Sequence, residues 1–149
     1  MNRVKRMQPV LRIAELEADK AGRLLSQAQQ LVQQEEQKLQ QLAEYQDDYR
    51  RRLLDAGRQG MTVDRLRLYD GFQGQLDRAI AHQKTVIATR EQEAEQFRLQ
   101  WQQLDIRFKS LEKMLQRLQQ EADRQQARVE QRNHDEYARR GAGAKKAWN

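Results

Sequence analysis

Apolar residues recur along the first third of the chain at alternating intervals of three and four positions. Of the fourteen positions reached in this way from Leu11 to Ala56, twelve are apolar. Such an interval keeps one stripe of a helix facing a partner helix, and it is typical of a left-handed coiled coil. The stripe therefore predicts one long helix. Its members are Leu11, Ala14, Ala18, Ala21, Leu25, Ala28, Val32, Glu35, Leu39, Leu42, Gln46, Tyr49, Leu53 and Ala56.

A second stripe with the same interval runs from Leu66 to Val129, and fifteen of its nineteen positions are apolar. Disorder is the competing interpretation of so polar a chain, but a disordered sequence has no reason to keep phase over this many turns. Polar residues such as Glu35 and Gln83 interrupt the stripes. They should lower the stability of the pair while fixing its register.

The stretch "AGRQGMTVDRL", residues 56–66, separates the two stripes. Gly57 is expected to end the first helix in a left-handed conformation, and Gly60 to let the chain reverse. Thr62 is a suitable N-cap, and Asp64 follows in the first turn, where the helix dipole favours a negative charge. So short a connection makes the two helices antiparallel neighbours.

The predicted fold is therefore all-α: a long antiparallel two-helix coiled coil, or helical hairpin, with a longer C-terminal helix. Pro9 suits the first turn of a helix, and Gly141 and Gly143 mark the end of the second helix. The predicted single domain, residues 1–149, has helix 1 at about 9–55, a turn at 56–62, helix 2 at about 63–138 and a flexible basic tail at 139–149.

In the predicted register Leu53 faces Leu66, Tyr49 faces Tyr69 and Leu42 faces Leu76. The N-terminal end of helix 1 then lies opposite about residue 108 of helix 2, and the rest of the apolar stripe of helix 2 has no partner helix within the chain. An unpaired stripe of this kind usually marks a surface that meets a partner. Its members are Leu111, Met114, Leu115, Leu118, Ala122 and Val129.

Further apolar residues flank the paired stripes along one edge of the hairpin. Tyr45 is predicted to lie beside Phe72, and Leu31 beside Val86, whereas the opposite edge is polar. A broadened core is one interpretation of this edge. Two aromatic side chains near an exposed tip favour a docking face instead.

Composition narrows the class of protein. Apolar residues make up 38% of the 149 residues and charged residues 34%, which is typical of long helices. There is no cysteine, so neither a disulfide framework nor a thiolate metal site is available. No apolar run approaches the ~20 residues of a membrane span, and the N-terminal segment lacks the apolar stretch of a secretory signal. These features predict a cytoplasmic protein.

Residues that could carry catalysis are sparse. His82 and His134 have no second ligand at helical spacing, and a metal site needs several converging ligands. The sequence contains no phosphate-binding glycine loop and no nucleophile elbow. A pair of helices also offers no deep cavity. The chain is therefore predicted to be no enzyme, with no catalytic residue, metal, cofactor or small-molecule substrate.

The formal net charge of +6 suggests an anionic partner. Basic residues gather where the two termini are expected to meet. Nucleic acid is one candidate partner, but acidic residues are mixed in and no nucleic-acid-binding motif is present; an acidic protein surface fits equally well. The residues concerned are Arg3, Lys5, Arg6, Arg12, Arg128, Arg132, Arg139, Arg140, Lys145 and Lys146.

Three stretches give the chain a family resemblance: "LRIAELEADKAGRLL" after a basic start, the turn region "GRQGMTVDRLRLYDGFQGQLDRAI", and the late "EQRNHDEYARR". Together they resemble the FliJ family, the small soluble coiled-coil components of the bacterial flagellar type III export apparatus. The resemblance covers nearly the whole chain. It implies a two-helix coiled coil similar to the stalk subunit of rotary ATP synthases.

The resemblance also implies partners. The end that carries the termini would enter the central hole of the hexameric flagellar export ATPase, through Arg3, Lys5, Arg6, Arg12, Arg128, Arg132, Arg139 and Arg140. The surface near the turn would bind the cytoplasmic part of the membrane export gate, through Leu42, Tyr45, Tyr49, Phe72, Leu76 and Ala79. Export chaperones would be further partners, nucleic acid would not, and the chain would lie at the cytoplasmic face of the inner membrane.

Alternatives remain open at this point. The equivalent stalk of a virulence type III secretion system has the same features. A structural coiled coil could self-associate through residues 108–132, whereas the export stalk is expected to be a monomer when free. A nucleic-acid-binding rod would show strongly salt-dependent binding to any duplex.

Overall fold

Two long helices packed against each other form the chain, as a computed structural model shows. The structure describes the backbone of residues 2–148 and the side chains of residues 3–143. Helix α1 spans Asn2–Gln59 and helix α2 spans Val63–Trp148, and the described residues contain no strand. The prediction of an all-α helical hairpin is confirmed. Within the described residues, neither helix has a stretch apolar enough to cross a lipid bilayer.

The turn is shorter than predicted and begins later. Within residues 2–148, only residues 60–62 lie outside the helices. Gly60 takes the left-handed conformation, with φ of 95°, and its N–H donates to the carbonyl of Gly57 at 3.3 Å. The expectation that Gly57 would end α1 in that conformation is wrong, because α1 continues through Gly57 and the reversal falls entirely on Gly60.

Helix α2 begins with the predicted cap. The Thr62 side-chain oxygen accepts a hydrogen bond from the N–H of Arg65 at 3.3 Å, and the Thr62 carbonyl accepts one from the N–H of Leu66 at 3.0 Å. Asp64 lies in the first turn, where its negative charge interacts favourably with the positive end of the helix dipole. The chain therefore leaves the turn directly into a capped helix.

Helix α1 begins at Asn2 and not near residue 9, so Pro9 lies inside the helix. Proline has no N–H, so the Lys5 carbonyl lacks its usual helical hydrogen-bond donor. Lys5 and Pro9 are both exposed, and a water molecule can donate to that carbonyl instead. Val4 and Met7 are half-buried. They continue the apolar stripe one further repeat, and their partial burial favours a helix on both sides of the proline.

Helix α2 also extends beyond its predicted end near residue 138, as far as Trp148. Gly141 and Gly143 each weaken a helix by about 1 kcal/mol relative to alanine, yet neither blocks it, and alanine and lysine follow them. The predicted tail 139–149 is therefore helical through Trp148. Asn149 lies outside the described residues, as do the side chains of Lys145 and Lys146.

Close contacts divide the chain into two units. The hairpin unit is Asp19–Gln102, and its core is formed by Ala21, Ala28, Leu76 and Ile87. Small residues of α1 accept large ones of α2 here: a Cβ atom at Gly22 would lie only 3.4 Å from the Trp101 ring. The terminal unit is Met1–Ala18 with Gln103–Asn149, and Ala14 and Ala18 are its buried residues. The prediction of a single domain stays a prediction.

In the terminal unit the unpaired stripe is shorter than predicted. Leu111, Leu115, Leu118 and Ala122 are half-buried, and every described residue from 123 onward is exposed. The overhang therefore begins near residue 123 and not at 108. The earlier start of α1 accounts for about half of this shift, since seven added residues lengthen that helix by roughly 10 Å.

Candidate interaction surfaces

Four aromatic side chains meet across the two helices of the hairpin unit, next to the turn. The Tyr49 ring lies 4.7 Å from that of Phe72 and 5.3 Å from that of Tyr69, between centroids. Tyr45 meets Phe72 edge to face at 6.1 Å. Such pairs stabilise a contact by about 0.5–1.5 kcal/mol beyond their buried area. The predicted pairs Tyr49–Tyr69 and Tyr45–Phe72 are confirmed.

The hydroxyl of Tyr49 donates to the carbonyl of Tyr69 at 3.4 Å. Burial in this cluster raises the pKa of the Tyr49 phenol, and the neighbouring Tyr69 adds to the effect. A tyrosine phenol is protonated at neutral pH in any case, and here its hydrogen-bond donor is held against α2. Tyr49 thus anchors the cluster.

Exposure differs sharply among the six residues assigned to the gate surface. Tyr45 is 50% exposed, whereas Leu76 is only 6% exposed; the other four are half-buried: Leu42, Tyr49, Phe72 and Ala79. Leu76 packs between the helices and presents almost no surface to a partner. Its assignment as a contact residue is therefore corrected to a supporting position. The remaining five form a surface that we call the aromatic face.

A polar crossing point lies further along the seam of the hairpin unit. The Gln83 amide donates to the Glu35 carboxylate at 2.6 Å and to the Glu35 carbonyl at 2.9 Å. The Lys38 ammonium binds the same carboxylate at 3.1 Å. Hydrogen bonds from Gln83, and then from Lys38, hold the pKa of Glu35 below its usual value. The two polar residues predicted to interrupt the seam therefore satisfy each other across it.

The open groove in the middle of the hairpin unit carries little chemistry. This groove of about 410 Å³ lies beside Leu25 and Val32, between glutamine and glutamate side chains. Its one arginine, Arg98, is already bound to Glu95 at 2.7 Å, which lowers the pKa of that carboxyl. Among the described residues, no three histidine, aspartate or glutamate side chains converge as metal ligands would.

The basic residues assigned to the ATPase all lie in the terminal unit and all are exposed. Arg12 approaches Glu15 at 3.7 Å; the other seven form no ion pair with the described residues. The basic residues near the N-terminus and those near the C-terminus do not lie at the same position along the pair of helices, however. Arg128, Arg132, Arg139 and Arg140 lie on the stretch of α2 that α1 does not cover, so the expected meeting of the termini is corrected to a basic overhang.

Comparison with known proteins identifies the family. The family model described as "Flagellar FliJ protein" matches residues 3–147. The chain belongs to the FliJ family. The flagellar FliJ protein of Salmonella typhi is 33% identical over 141 residues, which cover 87% of this chain and 88% of the relative. That of Escherichia coli (strain K12) is 29% identical over 130 residues, with 87% and 88% covered. No solved structure matches.

FliJ-family membership confirms the resemblance seen in the sequence, and it favours a flagellar protein over a virulence secretion stalk. The match spans both helices and the turn. Both the aromatic face and the basic overhang therefore lie within the part of the chain that defines the family.

Sequence reasoning placed Tyr69 only in the seam, although in this FliJ-family chain it belongs to the aromatic cluster. The signal was available. Tyr69 and Phe72 are three residues apart, and side chains at that spacing share a helix face. Burial of Leu76 carried no comparable signal, because a heptad pattern does not show how closely the two helices approach at each level.

Proposed function

We propose that this chain is a non-enzymatic component of the flagellar protein export apparatus that binds the export ATPase and the membrane export gate and assists export chaperones. The observation that carries the proposal is the separation of two unlike surfaces. An aromatic face lies in the hairpin unit, and exposed arginines lie in the terminal unit. A chain with two such surfaces is suited to hold two partners at once.

The aromatic face has the features of a protein-binding site. Tyr45 is half exposed, and its ring is held by an edge-to-face contact with Phe72. A tyrosine that is already oriented loses little conformational freedom on binding, and aromatic residues dominate the energy of many interfaces. We infer that Tyr45 and Phe72 are the main contacts with the cytoplasmic part of the gate, with Leu42, Tyr49 and Ala79 around them.

The terminal arginines suit an acidic protein surface, and we infer that the hexameric export ATPase is the partner that presents it. Arg128, Arg132, Arg139 and Arg140 are exposed and form no ion pair with the described residues, so a partner does not have to break existing ion pairs to bind them. Unpaired surface charge also steers association and makes its rate depend on salt. The proposed location is the cytoplasm, at the inner face of the membrane that contains the gate.

A double substitution tests the gate surface. Tyr45→Ala with Phe72→Ala removes the exposed Tyr45 ring and the half-buried Phe72 ring that supports it. Because such positions commonly cost 2 kcal/mol or more when truncated, we expect at least about a thirtyfold loss of affinity for the gate's cytoplasmic domain. Isothermal titration calorimetry measures this affinity, and circular dichroism checks that the helix content of the variant is unchanged.

Tyr137→Ala is the matched control. Tyr137 is an aromatic residue that is 81% exposed and lies in the terminal unit, so its removal should leave gate affinity as it was. An unchanged affinity in the double variant, or an equal loss in the control, would remove the aromatic face from the proposal.

A further inference from the structure

The turn of the hairpin carries a second basic surface, far from both termini in sequence. Residues 50–68 contain six arginines and only two aspartates, a net charge of +4. We call this stretch the tip. None of its arginines lies within 4.0 Å of a carboxylate among the described residues. They are Arg50, Arg51, Arg52, Arg58, Arg65 and Arg67, and all are exposed.

The tip is also the most exposed apolar part of the described chain. Leu68 is 74% exposed, Val63 is 65% exposed and Leu54 is 63% exposed. Among the large apolar side chains described, only Tyr137 exceeds them. Leaving three such side chains in water within fifteen residues is unfavourable by the ordinary hydrophobic effect, so this surface is expected to be covered in the cell.

These side chains surround the end of the hairpin and do not form one flat patch. Successive residues of a helix are turned by about 100°, which places Leu66 and Leu68 on opposite sides of α2. The same rotation separates Arg65 from Arg67. A rigid protein surface would cover only one side of the end of the hairpin. The deformable headgroup region of a lipid bilayer can surround it on all sides.

A groove at the tip combines both properties. Its volume is about 510 Å³, and it is lined by Leu53, Leu54, Gly57, Arg58, Met61 and Leu66. One cation therefore borders an otherwise apolar hollow. That combination suits an anionic amphiphile, whose phosphate would bind the guanidinium while its hydrocarbon lies against the leucines.

We propose that the tip docks on the surface of a bilayer that contains anionic phospholipid. The arginines bind lipid phosphates, and Leu54, Val63 and Leu68 enter the boundary between headgroups and acyl chains. The inference goes beyond the gate and ATPase contacts and does not rest on them, because it uses only residues 50–68 and requires no protein partner.

Vesicle binding tests the inference directly. The full chain should sediment with vesicles of phosphatidylglycerol mixed with phosphatidylcholine and remain free with phosphatidylcholine alone. Each arginine near an anionic surface strengthens partitioning about fivefold. The variant Arg58→Gln, Arg65→Gln, Arg67→Gln should therefore bind the mixed vesicles about a hundredfold more weakly.

A matched control separates position from net charge. The variant Arg107→Gln, Arg117→Gln, Arg124→Gln loses the same charge from exposed sites in the terminal unit, and should bind vesicles nearly as the original chain does. An equal loss in the two variants would overturn the proposal, because the attraction would then follow total charge and not the tip.

A site-specific probe reports insertion even where binding is weak. The chain has no cysteine, so Leu68→Cys accepts a single environment-sensitive fluorophore. Its emission should shift to the blue with mixed vesicles, while the same label at Leu16→Cys, in the terminal unit, should not shift. An unshifted Leu68 label, with the chain binding soluble polyglutamate and not vesicles, would identify an acidic protein as the partner and contradict the lipid assignment.

Discussion

Glu35 shows how one side chain sets the register of the hairpin. Its side chain is only 13% exposed, and its carboxylate accepts hydrogen bonds from Gln83 on the opposite helix and Lys38 on its own. A one-turn slip of α2 would leave that carboxylate without Gln83. Polar residues within an apolar seam therefore disfavour alternative registers, and this one does so beside the aromatic face.

The depressed pKa of Glu35 predicts a pH dependence. A carboxyl whose folded pKa lies below its ordinary 4.5 contributes stability above that value, and the contribution is lost as the pH falls through the folded pKa. Glu35→Gln should thus be less stable than the original chain at neutral pH. The difference in free energy of unfolding should shrink below pH 4.5, because a protonated Glu35 resembles glutamine.

Urea unfolding followed by circular dichroism over a pH series measures this difference. Glu36→Gln is the control, because it removes an exposed carboxylate at the next position without touching Gln83. The interpretation fails if the two variants respond to pH alike.

The two helices and the turn illustrate what a sequence can predict and what it cannot. The 3.5-residue interval predicted the hairpin and its register because a heptad stripe has few other ways to be buried. Pro9, Gly141 and Gly143 misled the prediction of helix ends. Each lowers the stability of a helix locally, but the outcome depends on whether flanking residues such as Val4 and Met7 find cover, which is a property of the fold.

Gly57, in the last turn of α1, and Gly60, in the reversal itself, give opposite predictions for substitution by alanine. Gly60→Ala should lower the free energy of unfolding by about 1–2 kcal/mol, because its φ of 95° is strained for a residue with a Cβ. Gly57→Ala should raise it by about 0.5–1 kcal/mol, because Gly57 lies within α1 and its Cβ would meet nothing within 4 Å.

Thermal or urea unfolding of both variants measures the pair, and each serves as the control of the other. Equal effects of the same sign would mean that the reversal does not depend on the conformation of Gly60.

Across the molecule, charge and apolar surface are distributed unevenly. Of a formal net charge of +6, residues 50–68 account for +4, although the basic residues near the termini are the more conspicuous in the sequence. Acidic residues elsewhere in the chain offset this local positive charge, so the average over the whole chain does not reveal it.

Beyond Ala122 the described overhang exposes only Val129 and Tyr137 as large apolar side chains, which leaves little surface for the alternative of a self-associating scaffold.

The most direct measurement is a binding matrix of three chains against two partners, by calorimetry at fixed salt. The chains are the original, the variant Tyr45→Ala, Phe72→Ala, and the variant Arg128→Gln, Arg132→Gln, Arg139→Gln, Arg140→Gln; the partners are the gate's cytoplasmic domain and the export ATPase. We expect the first variant to lose only the gate and the second only the ATPase, since the substitutions lie in different units. If both variants lost both partners equally, or neither lost any, two separate surfaces would not exist.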